Sequence, residues 1–144
     1  MMILRIVLAL LVALQALSSG FPLLGYVAYK LRLIHPGAGP AALMIPLWEA
    51  TPWWQLAVWA LCVAALILAA WRLIRRRPAL LIYAGAILAN TGLQWLMQLT
   101  PAYHRLFTAA TTRFDVDRWV VLLLLGALIW WVEQRSARAD VEAK

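Results

Sequence analysis

The sequence predicts an all-α, polytopic membrane protein that folds as a single bundle of four transmembrane helices over residues 1–144. Of its 144 residues, 65% are hydrophobic and only 13% are charged, whereas soluble domains carry about 25% charged residues. Uncharged runs cover residues 6–29, 50–71, 78–103 and 119–132. The first three are long enough to span a bilayer, since a spanning helix needs about 20 residues.

The first helix is expected over residues 3–29. Arg5, the apolar run and the small residues at 16–20 also fit a cleaved signal peptide, but the apolar stretch continues to Tyr29, which favours an uncleaved helix. Pro22 predicts a kink because proline removes a backbone donor. Residues 30–49 contain three prolines and two glycines, so we expect a Pro/Gly-rich interfacial loop between the first and second helices.

The second helix is expected over residues 52–74, with Thr51 as its N-cap and Pro52 at the first helical position. The third is expected over residues 78–99, because Pro101 lies just beyond it.

The fourth apolar run has 14 residues, which span about 21 Å as a helix against a hydrocarbon core of about 30 Å. Two interpretations remain open. Either the helix extends over residues 115–134 with its charged side chains snorkelling, or neighbouring subunits shield it. Residues 135–144 are predicted to form a short charged cytoplasmic tail.

The distribution of Lys and Arg predicts that both termini are cytoplasmic, in a protein of the bacterial inner membrane. Of 13 such residues, eight lie on the side of the termini and five on the other: Arg5, Arg72, Arg75, Arg76, Arg77, Arg135, Arg138 and Lys144 against Lys30, Arg32, Arg105, Arg113 and Arg118. The net charge of +7 therefore sets topology. No basic stripe interleaved with aromatics is present, so nucleic acid is not an expected partner, whereas membrane lipids are.

The nine tryptophans cluster near segment ends, which is typical of interface anchors. Trp48 belongs to this belt on the outer side, whereas Trp59 and Trp95 lie deeper and are expected to pack within the bundle. The single cysteine, Cys62, excludes an internal disulfide and is interpreted as a small buried hydrophobe.

Asn90, Gln94 and Gln98 are the most informative polar residues, because they stand four apart within an uncharged segment. At helical spacing they fall on one face, and each amide needs a partner that lipid cannot supply. Gln15 in the first helix is the expected partner of Gln94 or Asn90. The amide row is interpreted either as contacts between helices or as a ligand site.

Charged residues are missing from the middle of the spanning segments, which argues against proton-coupled transport. His35, Glu49, His104, Asp115 and Asp117 all fall at the expected outer face and define a possible polar site there. Their spacing matches no metal-binding motif, so no metal is predicted. The sequence does not identify a cofactor, and the absence of a nucleophile–base pair makes an enzyme the less favoured interpretation.

Two functions follow from these features. The favoured hypothesis is a non-catalytic subunit or accessory protein of a larger inner-membrane complex, in which the polar face of the third helix contacts other membrane subunits. The alternative is a small membrane protein that binds or transports a neutral or lipid-like ligand, such as a quinone, a lipid or another hydrophobic small molecule.

Overall fold

The computed structural model of the protein describes residues 2–35, 37, 40–106 and 112–142, with the backbone alone described at residues 40–41, 105–106, 112–116 and 139–142. In chain order the elements are α1 (Met2–Lys30), a 3₁₀ helix (Pro40–Met44), α2 (Ile45–Ala50), α3 (Trp53–Ile74), α4 (Leu80–Gln98), α5 (Pro101–Leu106) and α6 (Thr112–Glu142). Within these ranges no strand is present. Four helices, α1, α3, α4 and α6, are long and apolar enough to cross a membrane, which confirms the predicted fold class.

The segment between α1 and α3 contains more helix than its prolines suggest. The 3₁₀ helix leads directly into α2, where Pro46 occupies the first turn and needs no N–H partner. Thr51 does not cap α3 as predicted, because its hydroxyl donates to the Leu47 carbonyl at 2.8 Å. Leu47 and Trp48 are buried against the bundle, so α2 closes one end of it.

The most extensive contact in the bundle joins α1 and α3. Small residues make it possible: Ala9 and Ala16 are buried on α1, and a Cβ on Gly20 would lie 3.4 Å from Val63 of α3. Small side chains at such intervals allow two helices to approach closely in lipid, where van der Waals packing drives their association.

Two hydrophobic clusters fill the bundle, and the α6 side chains that the structure describes contribute buried residues to one of them. The end that holds both chain termini (the termini side) contains Leu8, Leu66, Tyr83 and Ile129, among others. The opposite end (the loop side) is built by α1, α2, α3 and α4 around Tyr26, Trp48 and Trp59. A cleft lies between α6 and α1, and it reaches from Leu128 to Asp117 along α6.

Residues 135–142 of the segment predicted as a charged tail continue α6, and Ser136 among them contacts α1. One carboxylate oxygen of Glu133 accepts the backbone N–H groups of Ala79 at 2.6 Å and Leu80 at 3.0 Å, so Glu133 caps the N-terminus of α4. Ser136 accepts a hydrogen bond from Arg5, which is only 4% exposed. These partners on other helices explain why α6 continues to Glu142 rather than ending near residue 134.

The division of the tryptophans into buried and surface residues differs from the sequence prediction. Trp48 is buried and packs against Tyr26 and Tyr29 instead of anchoring the interface. Trp59 packs within the bundle as expected, but Trp95 is 66% exposed on the outside of α4. Trp131 lies at the surface under the guanidinium of Arg135, 4.4 Å from the ring centroid, as an interfacial anchor would.

Candidate functional site

A cleft with a volume of about 930 Å³ lies between α1 and α6. It is partly open along its side, and α3 and α4 form its floor. Its walls are apolar, and a small number of polar groups converge on the floor and on the loop-side end. Sixteen residues line it: Leu11, Leu14, Gln15, Ser18, Ser19, Pro22, Trp59, Asn90, Gln94, Asp117, Arg118, Val121, Leu122, Leu124, Leu125 and Leu128. Such a combination is typical of small-molecule sites.

Two amides of the predicted row reach this cleft and the third does not. Asn90 and Gln94 line it, whereas Gln98 lies one turn further along α4 and outside it. Asn90 is 4% exposed, and its Oδ1 atom has no hydrogen-bond partner. A buried acceptor without a donor destabilises a fold by about 1–3 kcal/mol, so this oxygen is the most unusual atom of the site.

The expected pairing of Gln15 with the row does not form. Gln94 instead accepts a hydrogen bond from Arg118 of α6 at 3.0 Å. The Tyr83 hydroxyl lies 3.5 Å from Gln15 Oε1 and 3.2 Å from the Leu122 carbonyl. A hydroxyl has only one proton to donate, and the Leu122 carbonyl is the nearer acceptor, so the hydrogen bond from Tyr83 to Gln15 is weak.

Pro22 leaves a further acceptor beside the cleft. It lies inside the unbroken helix α1 and has no N–H to give to the carbonyl of Ser18, which therefore lacks its usual helical partner. The Ser18 hydroxyl donates to the Gln15 carbonyl at 2.9 Å. The Ser19 hydroxyl accepts the indole N–H of Trp59 at 3.0 Å, which fixes the ring that closes one side of the floor.

Arg118 is the main candidate site residue that the sequence analysis did not single out. It was counted with the loop cations, yet α6 begins before it and directs its half-buried side chain to Gln94. Asp117 also lines the cleft and is exposed. The available signal was the position of both residues within one turn of the fourth apolar run.

Three other outer-face candidates, His35, Glu49 and His104, do not line this cleft. His35 and Glu49 share a smaller pocket of about 460 Å³ with Tyr29, Lys30 and Arg32. Within that pocket the Tyr29 hydroxyl donates to Glu49 at 3.0 Å.

His104 is exposed and stacks edge-on against Tyr103, and the side chain of Asp115 lies outside the described residues. In the described part of the chain, no group of three or more His, Cys, Asp or Glu residues is placed to hold a metal ion.

Arg5 is a second buried polar residue that the sequence did not single out. Its Nη1 atom has no hydrogen-bond partner, while Nη2 donates to Ser136. It lies on the termini side, away from the cleft, and joins α1 to α6 there. Since Glu133 joins α6 to α4 at the same end, α6 is held firmly on the termini side and by the Arg118–Gln94 bond on the loop side.

No protein-family model, curated protein or solved structure matches the chain, so the site is interpreted from its own geometry. An apolar cleft that opens sideways from a spanning bundle can take a hydrocarbon chain from the bilayer. Its polar floor can hydrogen-bond a headgroup, and Asn90 can accept one further hydrogen bond.

Proposed function

We propose that the protein binds a lipid-like amphiphile in the cleft between α1 and α6. The apolar chain lies along the leucines of α6, and a polar group donates a hydrogen bond to Asn90. The single observation that supports this most directly is the unpartnered Oδ1 of Asn90 in the cleft floor. Buried acceptors are nearly always paired, and a ligand donor would pair this one.

Several features of the cleft support an amphiphile over a wholly polar ligand. Leu11, Leu124 and Leu128 line its termini-side part, where no charged residue contributes to the lining. Among the described lining residues, the charged ones are Asp117 and Arg118 at the loop side. This gradient matches a molecule with one apolar end and one polar end.

A matched pair of variants tests the site. Leu124 lines the cleft, whereas its neighbour Leu123 does not, and the two side chains are 59% and 67% exposed. Leu124→Trp should fill the cleft, and Leu123→Trp should add the same bulk to the lipid-facing surface. Neither substitution disturbs the buried core.

The measurement is native mass spectrometry of the delipidated protein, titrated with mono-oleoylglycerol, a neutral amphiphile with free hydroxyl groups. We expect saturable binding of one molecule to the wild type and to Leu123→Trp, and a loss of at least about tenfold in affinity for Leu124→Trp. Absence of saturable binding to the wild type, or equal binding to both variants, would contradict the proposal.

A non-catalytic subunit remains the second candidate, because the same open cleft could receive a helix of a partner protein. The sequence supported this candidate partly because the fourth apolar run is too short to span a bilayer alone. That support is weaker in the structure, because α6 spans Thr112–Glu142 and is long enough without a neighbouring subunit. Purification in mild detergent separates the two. A protein partner present at fixed stoichiometry and displaced by Leu124→Trp would favour the subunit.

We also propose an orientation in which both chain termini lie on the cytoplasmic side of the membrane. The bond between Arg5 and Ser136 places the start of α1 and the end of α6 at one end of the bundle, as an even number of crossings requires. The excess of arginine at that end supports the cytoplasmic assignment. The polar end of the cleft would then lie in the opposite leaflet.

A further inference from the structure

The charged residues of the cleft form one opposite-sign pair at its loop-side end. Asp117 and Arg118 are consecutive on α6, and the other lining residues that the structure describes are neutral. Both residues line the cleft, so a carboxylate and a guanidinium are presented to the same space. A ligand that enters the cleft with its polar end toward the loop side meets both charges.

Arg118 uses little of its hydrogen-bonding capacity on the side chains that the structure describes. Its guanidinium carries five N–H donors, and one of its nitrogens donates to the neutral amide of Gln94. Among the described carboxylates none forms an ion pair with it. A half-buried arginine near a membrane is stabilised by an anion, and its planar fork matches the oxygens of a phosphate.

Asp117 makes a simple anion a poor fit. An anionic group bound to Arg118 would approach the neighbouring carboxylate, which repels it. A headgroup that carries a phosphate and an ammonium together satisfies both side chains, since the ammonium can lie against Asp117. The charge of the described cleft therefore matches a zwitterion.

Asn90 adds a requirement deeper in the cleft. It lies one helical turn from Gln94, about 6 Å along the axis, and its Oδ1 atom lacks a donor. In a glycerophospholipid with one acyl chain, the free glycerol hydroxyl stands a few bonds from the phosphate and can donate to this oxygen. Lipids in which both glycerol positions are acylated have no such hydroxyl.

We propose that the cleft selects a zwitterionic glycerophospholipid with a single acyl chain, of the lysophosphatidylethanolamine type. Its phosphate lies on Arg118, its ammonium near Asp117, its glycerol hydroxyl on Asn90, and its chain along Leu124 and Leu128. The inference rests on the proposed function, because it names the headgroup of the amphiphile bound there.

The experiment compares three probes with the same oleoyl chain: the lysophosphatidylethanolamine, the lysophosphatidic acid, which lacks the ammonium, and the monoacylglycerol, which lacks the phosphate as well. Affinities come from native mass spectrometry of the delipidated wild type. We expect the zwitterion to bind at least about tenfold more tightly than the neutral probe, as one charged hydrogen bond implies. The acid should fall below the zwitterion.

Variants separate the charges from the fold. Arg118→Gln retains a donor for Gln94 and should lower the affinity for both phosphate probes to that of the neutral probe. Asp117→Asn should lower the affinity for the zwitterion, raise the affinity for the acid and leave the affinity for the neutral probe unchanged. The control is Arg138→Gln, which removes an exposed arginine elsewhere on α6 and should change none of the three.

The outcomes distinguish this inference from the proposed function. Equal binding of the three probes, unaltered by Arg118→Gln, would overturn the headgroup assignment and leave the amphiphile site in place. Tighter binding of a diacyl phosphatidylethanolamine than of the monoacyl form would overturn the role given to the glycerol hydroxyl. Failure of all probes to bind would overturn both proposals.

Discussion

Replacing Glu133 by alanine should destabilise the bundle, because it removes a hydrogen-bond acceptor at the start of α4. The carboxylate accepts two backbone N–H groups, those of Ala79 and Leu80, at the start of a helix whose own N-cap provides no side-chain bond. Hydrogen bonds to a charged group contribute about 1.5–3 kcal/mol each. Two of them at the lower value give a loss of about 3 kcal/mol, and a typical N-cap substitution gives about 1 kcal/mol as the lower bound.

The assay is unfolding in mixed micelles of increasing SDS content, followed by far-ultraviolet circular dichroism. Glu133→Gln keeps an acceptor and loses the interaction of the charge with the helix dipole, so its loss should be only about 1 kcal/mol. Gln134→Ala provides the control, since Gln134 is exposed beside it. If Glu133→Ala unfolds with the wild type and with Gln134→Ala, the capping role is refuted.

Two further predictions concern packing and topology. Ala16→Leu should lower stability by about 1–3 kcal/mol in the same assay, because Ala16 is 2% exposed within the core and extra methyl groups overpack it, whereas the exposed Leu17 should tolerate alanine within about 0.5 kcal/mol. In a Cys62→Ala background, a membrane-impermeant thiol reagent applied to intact cells should label Ile34→Cys and spare Ala137→Cys, and the reverse pattern would invert the proposed orientation.

The spanning helices were predictable because bilayer length and charge exclusion act on composition alone. Predicted bounds for the first three differ from α1, α3 and α4 by at most two residues at either end. The fourth helix was harder, because its flanking charges indicate helix ends. In the fold, Arg118 and Glu133 meet partners on α4, and such tertiary partners leave no periodic signal in a single sequence.

The candidate site shows the same division. The helical spacing of Asn90, Gln94 and Gln98 predicts one shared face, and the structure has the first two in one cleft with Gln98 outside it. The spacing could not reveal that Gln94 would pair with Arg118 while Asn90 stayed unpaired. That pairing depends on how α6 packs against α4, which is set by contacts between segments distant in the sequence.

Asn90→Leu provides the most direct test of the ligand site, because binding and structural roles predict opposite effects on stability. If the Asn90 oxygen is paired only when a ligand is bound, leucine at this position removes a buried, unpaired acceptor from the ligand-free protein. The delipidated protein should then become more stable by about 1–3 kcal/mol, while affinity for lysophosphatidylethanolamine falls at least about tenfold. Gln98→Leu, outside the cleft, should leave that affinity unchanged. A less stable Asn90→Leu protein with unaltered affinity would show that Asn90 is a structural contact and contradict the account.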